Sequence, residues 1–572
     1  MWAPMQRFMR LDSTRWRAYA RGALRDDLVA AVVVSVLLIP QSLGYALLAG
    51  LPPQAGLYAS LAPLLAYAAL GSSPVIGVGP VALLSLMISQ TIGHGPASVS
   101  PHAVALVLAA EVGVLLALAA WWRLHALAAL LSVPVLHGFE TGAALAIGLS
   151  QLPVLLGSTA RGSSLPQLLS SWQDTSIAWQ PLTALYGAAG LAALWVLRRH
   201  AAAWLARVMP RERATLLGRL APLVVLIAAV AVAALTHSGE HGVVLVGTLP
   251  ALQWAFQPLP FDVGLWIRLL PSALPIALVA FVSSLVVAES MARRDGTRID
   301  PRRELAGLSA ANFAAAATGG MPVAGSFTRS VMALDAGSRT RMAGVFTAVM
   351  MGLALLVIGR PLAMLPTAVL AATIVIASLA VFDLQPFREA WRYDRAECVL
   401  MAVVAVLTVV VGVAWALGVG VAASIALLLQ RTARPHVALV GRVPGTEHYR
   451  NAERYDVELT PAVMALRIDE SLLFTNARQL SDVVAQQLAT YPDTRRVVLQ
   501  MSPVNHIDLS GLAALRALHD MLAGRHIRLD LSEVKGPVLD ALKAGDWKRW
   551  FSGELFLSHH HAMQAAADVT PQ

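Results

Sequence analysis

Lysine is almost missing from this chain. Lys535, Lys543 and Lys548 are the only three in 572 residues, and the rest of the positive charge is arginine. Cysteine is scarcer still. Cys398 stands alone, which excludes an intrachain disulfide and a cysteine-built metal site. Charged residues of both signs make up only 13%, too few for an ordinary soluble enzyme. The amino-terminal 25 residues are rich in arginine and lack an apolar core with a small-residue cleavage site. No secretory signal peptide is expected.

What the chain has in excess is apolar surface. It is 57% hydrophobic with a mean hydropathy of +0.64, the composition of a polytopic membrane protein with a soluble part. Fourteen apolar stretches run from 26–48 to 416–430. The third, near 80–92, and the tenth, near 326–336, are too short to cross about 30 Å at about 1.5 Å per residue. Each follows a break. The first break reads Ser73-Pro74-Val75-Ile76-Gly77-Val78-Gly79-Pro80, and the second reads Gly319-Gly320-Met321-Pro322-Val323-Ala324-Gly325.

Lipid tolerates neither free backbone amides nor a bare guanidinium. A helix that restarts after such a break, with Arg329 in its first turn, fits a helix that begins in mid-membrane and aims its positive end at an anion. Two interrupted segments, one in each half, point to a transporter's binding site. The fourteen stretches divide seven plus seven, with the short helix third in each half. An odd-numbered half inserts its repeat upside down, so the two short helices are expected to meet from opposite sides.

The net charge of +9 is read as membrane orientation and not as a nucleic-acid surface. Arginines cluster in the amino-terminal arm (Arg7, Arg10, Arg15, Arg17, Arg21, Arg25). They cluster again after the sixth stretch (Arg198, Arg199, Arg207, Arg211, Arg213, Arg219) and after the eighth (Arg293, Arg294, Arg298, Arg302, Arg303). By contrast 237–265 has no Lys or Arg, and 157–179 has only Arg161. The positive-inside rule then puts both termini in the cytoplasm, with the chain in the cell (inner) membrane. Trp121 and Trp122 read as interfacial anchors.

From about Pro435 apolar runs shorten and charges become frequent. Strand-like 465–468, 496–501 and 527–531 alternate with helical 477–490 and 509–523, which predicts a small α/β domain. The expected organisation is an arm over 1–25, a membrane domain over 26–434, a cytoplasmic α/β domain over 435–558 and a tail over 559–572. His559-His560-His561 on that tail read as a solvated surface. No metal and no cofactor are expected.

These residues carry a family resemblance. Ile39-Pro40-Gln41-Ser42-Leu43-Gly44-Tyr45-Ala46 through Pro53, with Gly56-Leu57-Tyr58, resembles the sulfate-permease (SulP) signature. Gly79-Pro80, Gly148-Leu149-Ser150-Gln151, Arg303-Glu304-Leu305, Ala311-Asn312 and Gly325-Ser326-Phe327-Thr328-Arg329-Ser330 follow in family order. Val504-Asn505-His506-Ile507-Asp508-Leu509-Ser510-Gly511-Leu512 resembles a STAS domain. The resemblance implies a mobile core and a gate within the seven-plus-seven repeat, and a homodimer. It also implies an anion held between the short helices by Gln41, Tyr45, Val81, Ser283, Ser326, Phe327, Thr328 and Arg329. Gln41 and Tyr45 are four apart and share a helix face. Two helix N-termini of about +0.5 charge each, plus Arg329, sum to about +2. No carboxylate pair, nucleophile–base set or phosphate loop stands nearby, so no enzyme activity is expected.

The chain departs from that pattern on the eighth stretch. Relatives often carry an acid where this chain reads Phe281-Val282-Ser283-Ser284, and that acid is commonly assigned to H⁺ or Na⁺ coupling. Glu140 and Glu111 are the candidates for a relocated coupling acid. The bland alternatives are an ion pair of Glu140 with His137 or a loop arginine, or its access to cytoplasmic water, and a structural ion pair of Arg329 with an intramembrane acid such as Glu111. Glu304 and Asp335 lie at span ends and read as solvated or capping. In the STAS segment Leu509 follows Asp508, where bacterial anti-anti-sigma relatives carry a phosphorylatable serine, and Ser510 reads as the next helix cap. The function these readings predict is secondary transport of inorganic anions, sulfate first, by alternating access. The alternatives are an uncoupled exchanger or channel for chloride, or a bicarbonate or dicarboxylate carrier of the same fold. Membrane lipid and the anion are the expected partners.

Overall fold

The computed structural model describes residues 19, 22–93, 99–123, 132–158, 162, 164–174, 179–218, 220–247, 257–379, 381–433 and 436–568. Most of the arginine arm, Arg161, Arg219 and the last four residues lie outside them. The chain forms two compact units, Met1–Ser424 and Ile425–Gln572.

The first unit is helical, apart from two short strands. Its first half comprises α1 (Leu24–Leu48), α2 (Pro53–Leu70), β1 (Gly77–Gly79), α3 (Ala82–Gly93), α4 (Pro101–Trp121), α5 (Val133–Ser150), α6 (Leu152–Leu156), α7 (Leu165–Asp174), α8 (Pro181–Leu205), α9 (Arg211–Gly218) and α10 (Ala221–Leu235). The second comprises α11 (Val263–Asp295), α12 (Pro301–Ala317), β2 (Ala324–Ser326), α13 (Phe327–Asp335), α14 (Met342–Ala363), α15 (Thr367–Leu379), α16 (Gln385–Tyr393), α17 (Arg395–Val410) and the greater part of α18 (Val413–Ala433), whose last residues from Ile425 belong to the second unit. Each of the fourteen apolar stretches coincides with a helix here. Among the described residues six helices are long and apolar enough to cross a membrane: α1, α4, α5 with α6, α8, α11 and α18. Among the described residues three helices have no counterpart in those stretches: α7, α9 and α16. They are short and polar on at least one side, so a search for apolar runs passes over them.

Local chemistry explains the helix starts. Ser100 Oγ accepts Ala103 N at 3.2 Å, Asp262 Oδ1 accepts Gly264 N at 2.9 Å, and Asp300 Oδ1 accepts Arg302 N at 3.0 Å. Each satisfies an amide that the first turn leaves without a partner. Trp121 and Trp122 are exposed at the end of α4. Glu304 is not solvated as its position at a span end suggests. It is fully buried at the start of α12, where Tyr67 Oη donates to Oε1 at 2.5 Å and Ser72 Oγ to Oε2 at 2.6 Å. A buried carboxylate needs such donors. They tie α12 to the end of α2 and to the loop that precedes β1.

The second unit carries a six-stranded sheet in the order β4-β3-β5-β6-β7-β8. The strands are β3 (Val437–Arg442), β4 (Tyr449–Asn451), β5 (Val463–Ile468), β6 (Arg496–Gln500), β7 (Arg528–Ser532) and β8 (Leu555–Phe556). β5 to β8 run parallel, and β3 is antiparallel to both of its neighbours. Parallel strands bury both faces. Helices α19 (Ala477–Thr490), α20 (Leu509–Ala523) and α21 (Gly536–Ala544) follow β5, β6 and β7 and pack on one face through Leu480, Leu515 and Val538. The other face is closed by α22 (His559–Asp568), whose Ala562, Met563 and Ala566 pack on Ala438, Ala465 and Val498.

Two expectations fail in this unit. The tail histidines are not a uniformly solvated surface: His559 is only 2% exposed and its Nδ1 pairs with Ser532 Oγ at 2.7 Å. The continuous apolar run in β5 leaves a second face to be covered, and α22 covers it. Nor does Ser510 cap α20. Asp508 does, accepting Gly511 N at 2.8 Å with Oδ1 and Phe474 N at 2.8 Å with Oδ2, while Ser510 stays exposed.

Candidate anion site at the paired helix breaks

The two breaks meet. β1 and β2 pair antiparallel, with Gly77 opposite Ser326, Val78 opposite Gly325 and Gly79 opposite Ala324. Antiparallel pairing is the relation that upside-down halves require. It satisfies backbone groups that lipid cannot. α3 and α13 then start from the two strands, 12 and 9 residues long.

Side chains lock this crossing. Gly77 N donates to Ser330 Oγ at 3.0 Å, and Ser330 Oγ donates to Ser326 O at 2.7 Å. Gly325 N donates to Ser284 Oγ at 2.7 Å. Asn312 works as a substitute strand neighbour: its Oδ1 accepts Val323 N at 3.0 Å and its Nδ2 donates to Val323 O at 3.1 Å. Glycine is demanded by space at Gly77, and at Gly325 a larger residue would require Ile76 to move. A Cβ on Gly77 would lie 2.8 Å from Arg329 Cβ, and one on Gly325 would lie 2.5 Å from Ile76 Cδ1.

Arg329 is the centre of the arrangement. It is 1% exposed. Its Nη1 donates to Pro80 O at 2.8 Å and its Nε to Gly77 O at 3.4 Å. Nη2 is buried without a hydrogen-bond partner. Among the described residues Arg329 has no ion pair, so the alternative of a pair with Glu111 is not what the structure contains. A buried guanidinium without a counter-charge is costly. It leaves fixed positive charge where two helix N-termini begin.

The other expected site residues fall as follows. Tyr45 is buried on α1 and within electrostatic reach of Arg329. Gln41 lies one turn earlier, and its Oε1 is buried and unpartnered. Val81 and Ser326 are half-buried, and Phe327 and Thr328 are exposed. Ser326 holds the N-cap position of α13 without a side-chain cap hydrogen bond, so its hydroxyl is not committed there. Ser283 Oγ donates within its own helix to Val279 O at 2.6 Å. Its neighbour Ser284 makes the contact with β2, a role that reading the sequence missed. Ser330 and Asn312 were motif matches without a role, and nothing local in the sequence reveals their partners. Glu140 is half-exposed beside His137, with Oε2 3.6 Å from Nδ1. Glu111 is buried on α4, and its Oε2 has no hydrogen-bond partner.

Two helix ends paired across a membrane fold, with a buried arginine between them, define a membrane carrier with an electropositive centre. The sequence matches the profile of the Sulfate permease family over residues 24–404 and that of the STAS domain over 454–562. The chain belongs to the sulfate permease family. It is 31% identical to "Sulfate transporter 4.1, chloroplastic" of Arabidopsis thaliana, covering 97% of this chain and 82% of that protein. It is 33% identical to a Mycobacterium tuberculosis protein described as "Probable sulfate transporter", covering 95% and 94%. The structure of murine Slc26a9, an anion transporter in the inward-facing state, superposes with a TM-score of 0.85 over 96% of this chain and 92% of that chain, at 21% identity. The transmembrane domain of the cyanobacterial bicarbonate transporter BicA gives 0.59 over 70% and 97%, at 20% identity.

Proposed function

We propose that this protein carries sulfate across the cell (inner) membrane by alternating access. The anion sits at the β1–β2 crossing, facing Gln41, Tyr45, Val81, Ser326, Phe327, Thr328 and the charge of Arg329. The observation that carries this reading is the buried Arg329 with an uncommitted Nη2 at the start of α13. Sulfate leads over chloride and bicarbonate because the relatives of about 30% identity are described as sulfate transporters. Both termini are cytoplasmic in this reading, the working form is a homodimer, and residues from about 435 form the regulatory or assembly domain.

Ser283 favours transport without cation coupling, since a hydroxyl neither exchanges a proton near neutral pH nor supplies a charge for Na⁺. Radiolabelled sulfate uptake into proteoliposomes, with competing anions and imposed pH, Na⁺ or Cl⁻ gradients, tests both points. Saturable uptake blocked by excess sulfate but not by bicarbonate is expected. Absence of sulfate uptake alongside rapid chloride flux would replace this reading by a chloride pathway.

A further inference from the structure

A cavity with several polar groups in its wall lies away from the crossing. It measures about 510 Å³ and is lined by the far end of α3 (Gln90, Thr91), by Ser164, by the first part of α11 (Arg268, Ser272) and by Trp415 of α18. No acidic side chain lines it. Among the described residues Arg268 makes no ion pair or hydrogen bond. Asp262, the N-cap of α11, gives Oδ1 to Gly264 N; this oxygen and Arg268 Nη2 would lie 3.2 Å and 3.7 Å from a Cβ on Gly264, so the carboxylate is near the guanidinium without pairing with it and offsets part of its charge.

Two helices run from this cavity to the crossing. α3 begins beside β1, and Gln90 lies eight residues on from Ala82, about 12 Å at about 1.5 Å per residue. On α11 Ser284, which holds β2, is twelve residues past Ser272, about 18 Å. The cavity lies at the amino-terminal end of α11, opposite the end that carries Arg293 and Arg294. Gln90 closes it towards α18: its Oε1 accepts Val413 N at 3.3 Å, beside Gly412, whose φ of +124° favours glycine.

We propose that this cavity is a second anion-binding site, an outer vestibule where Arg268 captures a tetrahedral oxyanion before it reaches the crossing. An unpaired guanidinium offers two parallel N–H donors to such an anion. The hydroxyl of Ser272 and the other polar groups of the wall can complete its shell. At about 30 Å³ per water, the cavity holds an oxyanion together with part of its hydration. An acid-free wall keeps the local potential positive and raises the concentration of anions at the entrance. This inference rests on the transport reading above.

The test uses Arg268→Gln and Arg268→Lys in the full chain, with radiolabelled sulfate flux into membrane vesicles of both orientations. Arg268→Gln should raise KM for entry from the α11 amino-terminal side by roughly three- to ten-fold, the size expected for one partly screened charge-assisted contact. From the opposite side the loss should appear in the maximal rate and not as a higher KM, since a passive carrier keeps the ratio of the two equal in both directions, and Arg268→Lys should restore part of the affinity. In a second arm, Ser272→Cys in a Cys398→Ser background, which keeps Arg268, is labelled with a negatively charged thiol reagent. Sulfate should slow that labelling, while labelling by a neutral reagent stays constant on adding gluconate. An equal KM change from both sides, or labelling that sulfate does not slow, overturns the vestibule. If wild-type protein carries no sulfate, the transport reading fails, and protection of the thiol decides the vestibule by itself.

Discussion

Arg329 serves two ends with one side chain. Its Nε and Nη1 hold the carbonyls of Gly77 and Pro80 while Nη2 stays free. Replacement by alanine removes the charge and leaves two carbonyls without donors. Sulfate affinity should fall by about ten- to a hundred-fold, the range for a lost hydrogen bond to a charged group, as read by calorimetry or ligand-induced thermal shift in detergent. Arg329→Lys should recover less than half of the binding free energy, because one ammonium lacks the fork that spans both carbonyls. Unchanged affinity in a folded Arg329→Ala protein would remove the residue from the site.

His559 sets a pH limit on the second unit. Burial holds its imidazole down to about 4, against the opposing pull of Glu533. The folded state therefore binds fewer protons than the unfolded state between about pH 6.5 and 4. Stability present above the unfolded pKa is lost as pH falls through that window. The shift corresponds to on the order of 3 kcal/mol at most. Hydrogen exchange of β6 and β7 in the full chain, corrected for intrinsic rates, should show protection falling from pH 6.5 to 4.5. His559→Phe should flatten that slope.

At the level of elements, small residues set how closely helices approach. In α5 a Cβ on Gly138 would lie 2.4 Å from Met401 O, and one on Gly142 would lie 2.5 Å from Ala405 O. Glycines four apart thus bring α5 onto α17, as small-xxx-small stripes do in membranes. Gly142→Leu should force the pair apart, cost about 1–3 kcal/mol and lower the detergent melting temperature. Gly352→Leu is the control, since nothing lies within 4 Å of a Cβ there. Equal melting of the two variants would count against close packing of α5 on α17. The crossing is likewise an element-scale device. Asn312, Ser284 and Ser330 each occupy a backbone group that neither short strand can satisfy, which lets three-residue strands persist in an apolar interior.

At the scale of the whole molecule Ser283 bears on coupling. With Ser283 in place of an acid, an inward pH or Na⁺ gradient should accelerate sulfate uptake little, and a counter-anion inside the vesicle should accelerate it more. A strong proton-driven overshoot would sink the uncoupled reading. Glu111→Gln and Glu140→Gln would then find the acid that took over. Of the two, Glu111 is buried with an unpartnered oxygen and Glu140 sits half-exposed beside His137, so Glu111→Gln is the variant expected to abolish such an overshoot.

The apolar stretches, both helix breaks, Arg329 and the switch to an α/β domain were legible in the chain itself. Each is a local departure from composition or periodicity, and such departures need no partner to be seen. What meets what was decided by tertiary structure. Ser330 receives Gly77 N from 253 positions away, and Glu304 receives Tyr67 from 237. Pairings that distant leave no periodic trace in the sequence. The same holds for Ser284 over Ser283, for α22 over a solvated tail, and for Arg268 beside Gln90. In each case the helix supplies the residue, and only the packing of helices against one another settles whether a polar group finds a donor, a wall or an open cavity.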